Sequence, residues 1–145
     1  NLLCLESAAS MFVTVFYGIL NFKTRELEYA NGGHNPPYII KPSGEVKIIP
    51  PLSGLALGAM EEFKYKSSKM ILEKGDKIFT FTDGVTEAVN ETDELYTEAR
   101  LVQLLQDISS GDSKYVTEET VKRIHEYSSN VEQSDDITIL TLEIK

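Results

Sequence analysis

Apolar and polar positions change period once along this chain. Up to about residue 88 the apolar runs are short, β-branched and aromatic, and Gly, Pro and Asn punctuate them, which predicts strands. Before them, residues 1–10 read as the end of a helix, with Leu2, Leu5 and Ala9 spaced for one face. Residues 11–20 predict a long strand, apolar on both faces and therefore central. Residues 21–25 form a polar turn, and Glu26-Leu27-Glu28-Tyr29-Ala30 alternates as the second arm of a hairpin. Asn31-Gly32-Gly33-His34-Asn35-Pro36-Pro37 is a loop. Tyr38-Ile39-Ile40 and Val46-Lys47-Ile48-Ile49 flank a Pro-Ser-Gly turn. Residues 50–58 make a second loop, apolar enough to pack over something. Residues 63–72, sprinkled with Lys and Ser, predict a strand near a sheet edge.

The helical period appears later. The polar run 90–94 ends a short predicted helix. Leu101, Leu104, Leu105 and Ile108 recur at i, i+3, i+4 and i+7 and mark an amphipathic helix. Gly111 breaks it, a second helix runs over 113–128 with Val121 and Ile124 inward, and a last strand covers 137–144. Hairpin-length connections with helices late in the chain predict an antiparallel α+β domain spanning residues 1–145.

Two places on this scaffold concentrate chemistry. The first is Lys77-Ile78-Phe79-Thr80-Phe81-Thr82-Asp83-Gly84, a buried-strand pattern that stops at Asp-Gly. Gly84 frees the backbone for a sharp turn, and Asp83 sits where the strand leaves the core. A carboxylate on a rigid strand end suits a metal or catalytic role; an ordinary Asp-Gly turn is the alternative. The second is Asp135-Asp136, just before the final strand. If the two strands are antiparallel neighbours, Asp83 and Asp135 or Asp136 meet at one rim. Carboxylates gathered without Lys or Arg repel, and a hard divalent cation relieves that repulsion. Oxygen-only ligands favour Mg²⁺ or Mn²⁺ over zinc, and water on such ions attacks phosphate esters. The alternative is that Ser134-Asp135-Asp136 caps or solvates a strand entrance.

Composition narrows the partners. At 145 residues the chain is long enough to bury a core. A net charge of −9 argues against nucleic acid and against anionic membranes. The one cysteine, Cys4, excludes an internal disulfide and points to a reducing compartment, the cytoplasm. The longest apolar stretch, 11–20, is interrupted by Thr14 and Gly18 and is too short to span a membrane. The chain begins at Asn1, which suggests a piece of something longer.

Four segments, in order and spacing, closely resemble one family: Met11-Phe12-Val13-Thr14-Val15-Phe16-Tyr17-Gly18, Tyr29-Ala30-Asn31-Gly32-Gly33-His34-Asn35-Pro36-Pro37, Gly75 through Ala88, and Asp135-Asp136-Ile137-Thr138-Ile139-Leu140. They resemble the SpoIIE/RsbU branch of the metal-dependent (PPM, type 2C) Ser/Thr protein phosphatases. The resemblance implies an antiparallel β-sandwich flanked by helices, with a two-metal Mn²⁺ or Mg²⁺ site at one end. It implies Asp83 and Asp135 as metal ligands, with Asp136 the weaker neighbour. Gly84 then lets the backbone approach the site, and His34 lies near its rim or stabilises its own turn. His125 matches no motif and reads as a surface residue. Glu87 serves a helix N-terminus, where its charge suits the dipole.

The departures are as informative. The family's Gly-Asp-Tyr/Phe-Tyr/Phe-Asp and Asp-Val-Ser-Gly-His-Gly motifs, which complete the two-metal centre, are not in this sequence. Leu95-Tyr96-Thr97 stands where the family usually has Phe-Gly. The chain therefore resembles the C-terminal portion of a phosphatase domain with its N-terminal strands missing. Alone it is expected to bind metal weakly, to turn over little, and to self-associate through uncovered sheet edges. By resemblance the intact protein is a cytoplasmic bacterial phosphoserine/phosphothreonine phosphatase acting on an anti-anti-sigma protein of the STAS class under an upstream sensor domain. The alternative is a pseudophosphatase serving as a binding module. A haloacid-dehalogenase-type enzyme is excluded, because the position of its nucleophilic Asp holds Phe81.

Overall fold

The computed structural model of the chain describes residues 12–133 and 135–145. The helix expected over 1–10, Cys4 and Met11 lie outside the described residues. Two compact units emerge, one of residues 1–36 and 50–73, the other of residues 37–49 and 74–145.

The first unit is a three-stranded antiparallel sheet in the order β1 (Val15–Asn21), β2 (Glu26–Gly32), β5 (Ser68–Ile71). The predicted hairpin forms in full register, from Val15 opposite Gly32 to Asn21 opposite Glu26. Asn21 makes its turn: its Oδ1 accepts from the Lys23 and Thr24 amides at 3.0 and 3.2 Å, and Arg25 takes a φ of 58°. Side chains that cap turns this way are why Asn is favoured there. The expected strand over 11–20 is corrected in two respects. It starts only at Val15, and among the described residues it is an edge strand of this sheet rather than a central one. Tyr17 and Ile19 stand opposite Ala30 and Glu28, and their side chains are exposed, at 60% and 56%. Leu27 and Tyr29, on the other face, are buried. The strand expected over 63–72 shortens to Ser68–Ile71, at the sheet edge as its Lys and Ser content implied. The apolar 50–58 loop folds onto the 31–33 turn of the same unit. A Cβ on Gly54 would fall 1.6 Å from the Asn31 carbonyl oxygen, so only glycine permits that approach.

The second unit carries the order β4 (Val46–Ile48), β3 (Tyr38–Ile40), β6 (Lys77–Phe81), β7 (Ile139–Glu143), antiparallel throughout. Tyr38 pairs with Phe79, and Phe81 with Ile139. Two helices, α1 (Thr97–Asp107) and α2 (Ser113–Tyr127), complete it. Its core joins Tyr38, Ile40, Phe79 and Phe81 from the sheet to Leu101, Leu104, Leu105 and Ile108 from the first helical stripe. That stripe is the one the i, i+3, i+4, i+7 spacing predicted. On α2 the buried positions are Val116, Thr120 and Ile124, so the inner face is set one step away from Val121. Asp112 caps α2, its Oδ1 accepting from the Tyr115 amide at 2.8 Å.

One buried group sets an alkaline limit on stability. Burial, reinforced by the negative charge of Glu98, pushes the Tyr38 phenol up to about 12. In the unfolded chain it titrates near 10. The raised folded value means stability is intact below about pH 10 and is lost as pH rises toward 12. Tyr38→Phe is expected to hold its urea midpoint over that window while the parent loses about 2 kcal/mol more. Parallel alkaline decline of both proteins would remove Tyr38 as the cause.

Candidate functional site

β6 is the central stretch singled out by its composition, and its last turn is where chemistry gathers. After Phe81 the chain enters a single 3-10 turn, Asp83–Val85. Val85 and Ala88 anchor that turn in the core, which leaves the Asp83 carboxylate exposed at the rim. The Asp83 main-chain carbonyl accepts from the Thr86 and Glu87 amides at 2.9 and 2.8 Å. Further on, the Thr97 amide donates to the Thr86 carbonyl at 2.9 Å and the Tyr96 amide to that of Ala88 at 2.7 Å. The start of α1 thus clamps the turn in place.

No helix continues from this turn to residue 94, contrary to the sequence reading. Asn90 diverts the chain, its Oδ1 accepting from the Thr92 and Glu94 amides at 3.0 and 2.9 Å. Val89 and Leu95 then close the loop with an isolated antiparallel bridge. A side chain that captures main-chain amides competes directly with helix formation. Glu87 accordingly follows the 3-10 turn and does not begin a helix.

β7 is the antiparallel neighbour of β6, so the end of one strand adjoins the start of the other. The Thr82 amide donates to the Thr138 carbonyl at 3.1 Å, one step past the last paired residues. The Thr82 hydroxyl makes two further bonds: it donates to the Asp136 carbonyl at 2.8 Å and accepts from the Thr138 amide at 2.9 Å. Gly84 presses against the same segment. A Cβ there would lie 2.6 Å from the Asp136 carbonyl oxygen and 3.2 Å from that of Asp135. Gly84 has no positive φ, so its value is space and not the sharp turn that the Asp-Gly pair suggests. The segment is also held from within, Gln133 Nε2 donating to the Asp135 carbonyl and the Asp136 amide to Asp135 Oδ1, at 2.6 and 2.7 Å.

The main chains of residues 83–84 and 135–136 therefore meet at one rim of the second unit, and both acids of the 135–136 pair are exposed there. Among the described residues no group of three or more His, Cys, Asp or Glu stands together as a metal cage. Asp83 and Asp135 offer carboxylate oxygens only, the donor chemistry of Mg²⁺ and Mn²⁺. Gly84 lets the two main chains close up, where a side chain would hold them apart. The donor set fits such an ion with other ligands completing the shell.

His34 lies in the first unit. Its amide donates to Asn31 Oδ1 and its carbonyl accepts from Asn31 Nδ2, both at 2.8 Å. Its Nδ1 stands 3.3 Å from the Thr14 hydroxyl. These bonds brace the 31–34 turn. His125 is exposed on α2, as its lack of any motif implied. Thr82 is the residue that motif reading passed over, and its position directly before the Asp-Gly pair was the only signal. No described helix is long and apolar enough to cross a membrane.

Comparison with known proteins places this chain in a family. The family model of stage II sporulation protein E (SpoIIE) matches residues 1–145. The phosphoserine phosphatase RsbU of Bacillus subtilis is 31% identical over 140 residues, covering 94% of this chain and 40% of RsbU. The PP2C phosphatase domain of SpoIIE from Bacillus subtilis, solved with a fragment of its regulatory domain, superposes with a TM-score of 0.82 at 17% identity, over 99% of this chain and 42% of that one. The RsbU and RsbW domains of a Mycobacterium tuberculosis protein superpose with a TM-score of 0.78 at 23% identity, over 96% and 38%. The chain thus spans less than half the length of each of these proteins. The two antiparallel sheets and two helices of the described residues are the α+β fold of PP2C-type phosphatases. Matched from end to end, the chain belongs to the SpoIIE family.

Proposed function

We propose that this chain is part of a metal-dependent protein serine/threonine phosphatase. The observation that carries the reading is the contact of the Asp83-Gly84 turn with Asp135-Asp136 at one rim of the sheet. In this reading residues 1–145 form the C-terminal portion of one phosphatase domain. Asp83 and Asp135 hold Mn²⁺ or Mg²⁺, Asp136 assists, and Gly84 lets the two segments approach each other. When bound, such ions polarise phosphoryl oxygens and lower the pKa of water. The residues of this chain hold and space the negative charge that the ions require.

The substrate is a phosphoserine or phosphothreonine on a regulatory protein, of the STAS anti-anti-sigma type, with a sensor domain upstream and the cytoplasm as the compartment. RsbU is named as a phosphoserine phosphatase, and an RsbU domain shares one chain with an RsbW domain in the mycobacterial protein. Both support a partner in a regulatory switch. The acidic chain, at −9, gives no support to a nucleic-acid partner.

The test uses the full-length protein and a phosphoserine-bearing STAS protein. Phosphate release is expected to stop in EDTA, to return with Mn²⁺ or Mg²⁺, and to exceed release from a phosphotyrosine peptide. Undiminished release in the chelator would overturn the metal-dependent reading. A pseudophosphatase would instead bind the phosphoprotein and release nothing under any metal.

A further inference from the structure

We infer that Thr82 is a positioning residue that fixes the Asp135-Asp136 segment against Asp83; the inference rests on the metal-site reading above. In a regular antiparallel ladder the Thr138 amide would go to the Thr82 main-chain carbonyl, since the Thr82 amide already bonds the Thr138 carbonyl. It goes instead to the Thr82 hydroxyl, at 2.9 Å. The same hydroxyl donates its own proton to the Asp136 carbonyl at 2.8 Å. One side chain thus takes both a donor and an acceptor of the incoming segment, two residues apart. The Thr82 amide keeps the ladder bond to the Thr138 carbonyl, at 3.1 Å. The segment is therefore held at three points by a single residue, and that residue directly precedes Asp83.

This arrangement turns the chain out of the ladder where the acids begin. Gly84 sits on the other side, with the Asp136 carbonyl at a distance no Cβ would tolerate. Thr82 pulls the segment in and Gly84 makes room for it. A hydroxyl is required because only a group that donates and accepts at once satisfies both partners. Valine has the shape of threonine without that capacity, and serine has the capacity without the methyl.

The experiment measures Mn²⁺ affinity by calorimetry on the full-length protein and on Thr82→Val, Thr82→Ser and Asp83→Asn, with hydrogen exchange of the Thr138 amide alongside. Thr82→Val is expected to weaken Mn²⁺ binding about 10–100-fold, the range for partners that orient metal ligands. It is expected to lower kcat with little change in KM for the phosphoprotein, and to speed exchange at Thr138 at least tenfold. Thr82→Ser is expected to restore all three. Wild-type affinity in Thr82→Val, with affinity lost in Asp83→Asn, would overturn the role of Thr82 and leave the metal site standing. Wild-type affinity in Asp83→Asn would instead remove the metal reading itself. Should the valine variant not fold, Thr82→Ser and Thr82→Cys decide: equal losses in both would show that the hydroxyl is not what matters.

Discussion

Asp83→Asn is expected to reduce Mn²⁺-dependent phosphoserine hydrolysis by the full-length protein more than about a hundredfold. Loss of an outer partner of a metal ligand costs up to that much, and loss of the ligand's charge costs more. Asparagine keeps the shape and one oxygen but removes the negative charge that offsets the cation. Stability is expected to stay nearly unchanged. The Asp83 carboxylate is exposed, and its hydrogen bond is to the amide of the next residue, Gly84, at 3.1 Å. The turn is held by the Asp83 main-chain carbonyl and by buried Val85, neither of which the substitution touches. Loss of turnover with an unchanged melting temperature is therefore the signature. Asp135→Asn is expected to behave alike and Asp136→Asn to lose less. Steady-state kinetics on the three variants checks the order, and equal rates for wild type and Asp83→Asn would sink the assignment.

Gly84→Ala is the second large effect, and it acts through space. The added methyl would sit 2.6 Å from the Asp136 carbonyl oxygen and 3.0 Å from its carbonyl carbon. Both atoms are main chain, so no side chain can swing aside. The 135–136 segment would have to move by most of an ångström, or the 3-10 turn would. Overpacking of this kind costs about 1–3 kcal/mol. A displacement of about 1 Å in a reacting geometry costs about a hundredfold in rate. We expect both, read as a lower urea midpoint and a lower kcat. Because Gly84 needs no positive φ, alanine meets no dihedral penalty there, and the outcome isolates the steric cause. An alanine variant with wild-type kcat would show that the rim tolerates separation of the two segments.

Much of this was legible in the residues. Leu101, Leu104, Leu105 and Ile108 announced their helix because a buried stripe imposes a period. The two hairpins followed from turn residues between β-branched runs. The adjacency of the two acid-bearing segments was readable too, since they lie at the end and at the start of neighbouring antiparallel strands. The misreadings share another cause. Residues 15–20 carry enough apolar side chains for two covered faces, but coverage depends on what lies beside the strand, and a sequence window does not contain that. The pattern at 90–94 reads as a helix end because Asn90 acts through individual hydrogen bonds, to which hydrophobic periodicity is blind. The role of Thr82 is hidden from the pattern for the same reason. A threonine in a strand pattern looks like propensity until its hydroxyl is seen to bond twice.

The partners at the rim are far apart along the chain. Thr82 and Thr138 are separated by 56 residues, and both helices of the second unit lie between them. No local element can bring Asp83 to Asp135. Their meeting requires that long loop to close, with the entropy this costs, and contacts of this range are the slow ones in folding. β7 is paired on one side, to β6, among the described residues. Fraying of that last strand would separate the two acids while β3, β4 and β6 stayed paired. The proposed metal site is thus coupled to β7, so local opening of that one strand is enough to take it apart.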